Sequence, residues 1–186
     1  QVTGASLENG LLHIDLVRAP EQLDAVLAAL PPEKTLSLGV VDGRNIWRTD
    51  LDATLATLLP VLAKRSGPVW LSTSCSLLHV PYSLDSEASL DEEVRPWLAF
   101  AEEKLAELAL LKAALSADER VSGRVARGFA EARSALANRR ATARVHSASI
   151  AKRLASLASD ERASRRGSPF VQRQTVQRER LQLPAF

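Results

Sequence analysis

Three short apolar runs set the main constraint on this chain. They are Leu11–Val17 (LLHIDLV), Thr35–Val41 (TLSLGVV) and a run that starts at Val69 (VWLST). Each gap between them holds one amphipathic helical pattern. A single helix between successive strands implies parallel pairing through right-handed crossovers. The middle run is almost wholly apolar, as a strand buried on both faces should be. An isolated three-stranded parallel sheet leaves greasy edges bare, so the pattern calls for neighbouring strands that the chain does not encode.

The punctuation agrees. Residues 1–10 have no period and read as loop. Pro20 suits a first helical turn, where its missing N–H is not needed. Leu23, Val26, Leu27 and Leu30 follow at helical spacing, and Pro31-Pro32 stops that helix. Asp42-Gly43 turns the chain, and Asp50 is placed to cap a helix with a stripe of Leu51, Leu55, Leu58, Leu59 and Leu62. Pro60 should kink or shorten it. Gly67-Pro68 ends the helix before the third strand.

Beyond residue 90 the composition turns helical. Ser89 with Glu92 fits a capping box. A long helix is expected with Val94, Trp97, Leu98, Ala101, Leu105, Leu108 and Leu115 on its apolar face and Glu102, Glu103, Glu107 and Lys112 opposite. Pro96 marks a kink or a later start. A second helix is expected over 117–139, weakened by Gly123 and Gly128, and a third within 141–158 from Ser147 onward. The last stretch, RRGSPFVQRQTVQRERLQLPAF, reads as an extended connector with an apolar tail. The division expected is 1–90 for the βα units, 91–160 for a helical extension and 161–186 for a connector.

The formal charge of +2 conceals a split. Through Glu119 there are nine Lys and Arg against eighteen Asp and Glu; from Arg120 onward there are fifteen against four. The basic part points first to an acidic partner surface, within the same protein or outside it. Phe129 and Phe170 alone interleave those arginines, which leaves no stacking platform for nucleic acid. One cysteine argues against a disulfide framework or a thiolate cluster. No apolar run approaches a membrane span, no signal-peptide pattern opens the chain, and a cytoplasmic origin is expected. Opening on Gln1 rather than Met is what a processed, truncated or partly represented chain would show.

Cys75 and His79, just past the third strand, invite a metal reading. Only His13 and His146 remain as further imidazoles, so a small buried Cys and a hydrogen-bonded loop His is the favoured reading. Arg44, Asn45, Trp47 and Arg48 form the densest polar-aromatic cluster. It could hold an anion through Arg and a ring through Trp, or it could pair with Asp42, Asp50 or Asp52 and fix the loop. Ser74 or Ser76 with His79 and Asp85 lacks a nucleophile elbow, and no phosphate loop, Cys-x-x-Cys or His-Glu-x-x-His is present.

SCSLLHVP at 74–81, GRNIWR at 43–48, WLAFAEEKLAELALL at 97–111, ARVH at 143–146 and LQLPAF at 181–186 resemble the amino-terminal half of cobalamin-independent methionine synthase. The resemblance implies an α/β fold: the last three βα units of a partial TIM (β/α)8 barrel, followed by helices and an interdomain connector. It implies a parent enzyme that moves a methyl group from 5-methyltetrahydrofolate polyglutamate to homocysteine, giving methionine. In that family a second, carboxyl-terminal barrel holds the catalytic zinc, and one ligand is a Cys after its last strand. Cys75 looks like the matching position in the first barrel, which lacks the other ligands, so it reads as a relic. No catalytic residue and no bound zinc are expected here. Folate is gripped mainly by residues that this chain does not contain, which leaves Arg44, Asn45, Trp47 and Arg48 as candidate contacts only. The partners implied are the rest of the same protein and its two substrates, with no nucleic acid and no membrane.

Overall fold

A computed structural model describes residues 10–116, 123–156 and 169–182. Strands β1 (Leu11–Asp15), β2 (Thr35–Val41) and β3 (Val69–Thr73) form one parallel sheet in the order β1-β2-β3. The register pairs His13 with Ser37 and Ser37 with Trp70. A shift between Gly39 and Val41 marks a bulge in β2, after which Val41 pairs with Thr73. Helix α1 (Leu23–Ala29) joins β1 to β2, and α2 (Leu51–Lys64) joins β2 to β3. The alternation of short apolar runs and single helices therefore gives the α/β pattern expected of it.

Two loops are fastened by backbone carbonyls. Arg65, just past α2, donates its guanidinium to the carbonyls of Leu30, Pro31 and Lys34 and so closes the turn between α1 and β2. A Cβ at Gly67 would run into the Pro32 carbonyl, so only glycine fits that crossing. Asp50 caps α2 by accepting from Ala53 N at 3.1 Å. The helix runs through Pro60 rather than stopping there. Pro60 is exposed, so the carbonyl it leaves without a partner faces water.

Helix α3 (Ala101–Leu115) starts later than the Ser89 signal suggests. Residues 85–98 form short turns instead, including a 3-10 turn at Arg95–Trp97 around Pro96. The carboxylate that fixes the helix start is Glu103, which accepts from Phe100 N at 3.0 Å and Leu84 N at 3.1 Å. The expected faces of α3 are also revised. Leu105 is 55% exposed, while Lys104, Glu107, Leu111 and Ala114, spaced by three and four residues, form the buried stripe. Helix α4 (Gly123–Ala141) crosses α3 with Gly128 against Leu110, where a Cβ would meet the leucine methyls at 2.6 Å. The start of the expected 117–139 helix lies partly outside the described residues.

One core unites these elements. Ile14, Leu36, Leu38, Leu58, Leu111 and Phe129 are among its buried side chains, drawn from the sheet, α2, α3 and α4. The helical stretch after residue 90 thus belongs to the same compact unit, which ends at Ala141. The unit from Thr142 onward contains α5 (Ala148–Ala155) and α6 (Phe170–Leu181). Ser147 caps α5 through Ile150 N, as its sequence suggests. The region read as an extended connector is instead helical over α6. Its arginines and glutamines are good helix formers, and Pro169 sits just ahead of the first turn. No described residue of α5 or α6 is buried.

Candidate functional site

The polar-aromatic cluster sits in the loop from Asp42 to Asp50, at the carboxyl end of β2. Asp42 organises it: Oδ1 accepts from Arg44 N at 2.8 Å and Oδ2 from Asn45 Nδ2 at 2.7 Å. Asn45 Oδ1 accepts in turn from Trp47 N at 3.0 Å. Such side-chain-to-backbone bonds replace the ladder bonds that β2 has just given up. The loop then pairs antiparallel with 97–99. Arg48 N donates to Trp97 O, and Ala99 N donates to Ile46 O, both at 2.8 Å.

A buried charged pair supports the loop from below. Lys104 is fully buried and donates Nζ to Trp47 O at 3.2 Å, with Asn45 Oδ1 at 3.5 Å. Glu107 is 5% exposed and accepts from Thr49 N at 2.9 Å, while its Oε2 has no hydrogen-bond partner. Desolvation lowers the Lys104 pKa and raises that of Glu107; each charge, together with the Thr49 bonds to Glu107, works against these shifts. The guanidinium of Arg139 on α4 lies 3.7 Å from the centroid of Trp47 and stacks on one face of the indole. Arg133 and Arg140 reach Asp52 and Asp50 at 2.7 and 3.5 Å. Part of the basic surplus therefore meets an acidic surface of the same chain, as its charge suggested.

The four predicted residues are thus brought to one loop but face different ways. Asn45 is spent on the loop interior. Trp47 has one face under Arg139, and Arg48 lines a cavity of about 560 Å³ with Leu84, Arg95, Leu98, Glu103 and Asn138. Arg44 alone is exposed, beside Cys75, and that thiol raises its pKa, with smaller help from Asp15 and Asp42. Gly43 makes the approach to Cys75 feasible, since a Cβ there would lie 2.7 Å from Cys75 O. Sequence reasoning missed Lys104 and Arg139, and placed Glu107 on the wrong face. The available signal was the three-and-four spacing of Lys104 and Glu107 with Leu111.

Cys75 is half-buried and His79 lies exposed in a turn at Leu77–His79. Ser74 accepts from Gly43 N, Ser76 accepts from Leu78 N, and Asp85 pairs with Arg95, so the serines and the carboxylate of the hypothetical hydrolase set are engaged elsewhere. His13 binds Ser37 Oγ through Nδ1 at 2.9 Å, with Nε2 3.4 Å from Ser74 O. Among the described residues no three His, Cys, Asp or Glu side chains are grouped to hold a metal ion. A cation at Cys75 would also face the Arg44 guanidinium, so the donor set does not fit zinc. Among the described residues no helix is long and apolar enough to cross a membrane.

Comparison with known proteins gives these features a context. Residues 3–66 match the family described as cobalamin-independent synthase, N-terminal domain. The 5-methyltetrahydropteroyltriglutamate–homocysteine methyltransferases of two Acidithiobacillus ferrooxidans strains are each 47% identical over 175 residues. That stretch is 94% of this chain and 22% of each of those proteins. The corresponding Chelativorans protein is 48% identical over 184 residues, which is 99% of this chain and 23% of that one. The chain therefore spans less than a quarter of the length of the relatives it matches.

Proposed function

The chain belongs to the cobalamin-independent methionine synthase family, and we propose that within it this segment supplies scaffold rather than a catalytic centre. The reading is that β1, β2 and β3 are the last three strands of an amino-terminal (β/α)8 barrel. Residues 91–160 extend that barrel with helices, and 161–186 lead toward a separate catalytic barrel. The whole protein would transfer a methyl group from 5-methyltetrahydrofolate polyglutamate to homocysteine in the cytoplasm. Zinc in such an enzyme activates a thiol, and its ligands belong outside these residues, because Cys75 has Arg44 rather than further donors beside it.

The observation that carries the proposal is the flank of β3. Trp70 stands 61% exposed on this edge strand, next to an apolar groove of about 610 Å³ lined by Leu62, Val69, Leu71, Leu108 and Leu115. A sheet edge with that much greasy surface is an aggregation hazard unless something covers it, and further strands of the same cylinder would do so. The loop at 42–50 fits the same role. Its polar groups are largely committed to Lys104, Glu107 and Arg139, with Arg44 left as the candidate for a direct folate contact.

The test is complementation. This chain should show no methyl transfer alone, and should recover it when mixed with the remaining segments of the Chelativorans relative. Turnover by the chain alone would overturn the reading. So would one zinc per chain after dialysis that is lost in Cys75→Ser.

A further inference from the structure

Helix α4 presents one stripe to a cleft at the turns of 84–98. Glu131, Ser134, Ala135 and Asn138 recur at three- and four-residue spacing, so they share a face. All four line the cavity of about 560 Å³ that Arg48 also lines. Leu84, Pro96 and Leu98 give the same cavity an apolar wall. Every one of these residues lies in the unit that ends at Ala141.

The charges of the cleft are not equally committed. Arg95 is tied to Asp85 and to the Glu87 carbonyl, and Glu103 accepts from the amides of Phe100 and Leu84. One cation and one anion are left over. Arg48 is half-buried and held by its N–H on Trp97 O, yet its guanidinium has no hydrogen bond or ion pair and feels Glu107 only through space. The side chains of Glu131, Ser134 and Asn138 have no partner among the described residues either.

That remainder selects the ligand. A phosphate would have to settle beside Glu131, and a plain cation beside Arg48, each a like-charge approach that costs affinity. A purely apolar molecule would strip water from both charges and pair neither. One unspent cation, one unspent anion and an aliphatic wall are complementary to a zwitterion with an apolar body, in a cavity of ordinary size for a small-molecule site.

We propose that this cleft binds a free α-amino acid with an aliphatic side chain. Arg48 and the Asn138 amide take its carboxylate, Glu131 and the Ser134 hydroxyl take its ammonium, and its side chain lies on Leu84, Pro96 and Leu98. Such an occupant bridges the 42–50 loop, the 84–98 turns and α4. All of the groups involved fall within 48–138, whatever covers the flank of β3.

The test is calorimetric titration of the full 186-residue chain with L-norleucine and three altered probes. Norleucinamide lacks the carboxylate, and N-acetylnorleucine lacks the ammonium. The third, 6-aminohexanoate, has the atoms of norleucine with its two charges moved to opposite ends. Norleucine should bind saturably and raise the thermal midpoint, with each altered probe weaker by roughly tenfold or more. Arg48→Gln should weaken norleucine by a similar factor and erase its advantage over the amide. Glu131→Gln should do the same and erase its advantage over the N-acetyl compound. Neither residue belongs to the buried core, and a circular-dichroism melt checks that both variants fold. Absence of saturable norleucine binding would overturn the assignment. So would unchanged binding in either variant, or 6-aminohexanoate binding as tightly as norleucine.

Discussion

Replacing Lys104 with methionine keeps the length of the side chain and removes the cation under the 42–50 loop. Two costs follow. Trp47 O loses its buried donor, worth about 1 kcal/mol. Glu107 keeps the Thr49 bond and the field of Arg48 but loses the Lys104 cation, with one oxygen already bare. Its escape is to take up a proton. From an ordinary value of 4.5, neutralising it at pH 7 costs at most about 3.4 kcal/mol, and at pH 5 about 0.7 kcal/mol. The sign follows from burial, which lifts the folded carboxyl above 4.5. Over that window the folded state holds a proton that the unfolded state has released, so stability falls as pH rises through it. Lys104→Met should therefore cost about 3–4 kcal/mol at pH 7 and only about 1–2 kcal/mol at pH 5. Adding Glu107→Gln removes the stranded charge while the amide oxygen still accepts from Thr49 N. The double variant should return to within about 1 kcal/mol of the parent plus its lost Trp47 bond. Urea unfolding followed by tryptophan fluorescence measures all four corners of the cycle. A pH-independent penalty, or a double variant as costly as the two singles together, would refute the reasoning.

Other perturbations test the same architecture. Gly39→Ala places a Cβ 2.8 Å from Ser74 Cα and 3.1 Å from the His13 ring, so it should cost about 1–3 kcal/mol by denaturant melt. Leu58→Ala empties a fully buried position between α2 and the sheet and should cost about 2–5 kcal/mol. Arg139→Ala uncovers one face of Trp47; about 0.5–1 kcal/mol should be lost, with a change in indole emission that Arg139→Lys partly restores.

The strands were legible because their signals are local. Thr35–Val41 reads as a buried strand from its apolar run, and Asp50 as a cap from its position before a leucine stripe. The first strand stops at Asp15 rather than Val17 because Asp15 Oδ1 accepts from the amides of Val17 and Arg18 and turns the chain. The loop at 42–50 was visible as a cluster, but what supports it was not. Lys104 meets Trp47 across 57 residues of sequence and Glu107 meets Thr49 across 58, so periodicity assigns such charges to solvent by default. Ser89 and Glu92 looked like a cap for the same reason: local spacing cannot register that Glu103 already serves Phe100 and Leu84. Helix α6 was missed because a Pro- and Arg-rich tail resembles a linker when only its flanks are weighed.

His13 spans the full width of the sheet on the side away from the helices, from a hydroxyl on the middle strand to a carbonyl just past the third. Its ring lies across Gly39, the one residue there without a side chain to obstruct it. Slipping either ladder by one place would turn that imidazole or its hydroxyl partner into the oily layer beneath. The ring is thus a gauge of alignment, tolerating only the registration in which all three backbones stand level.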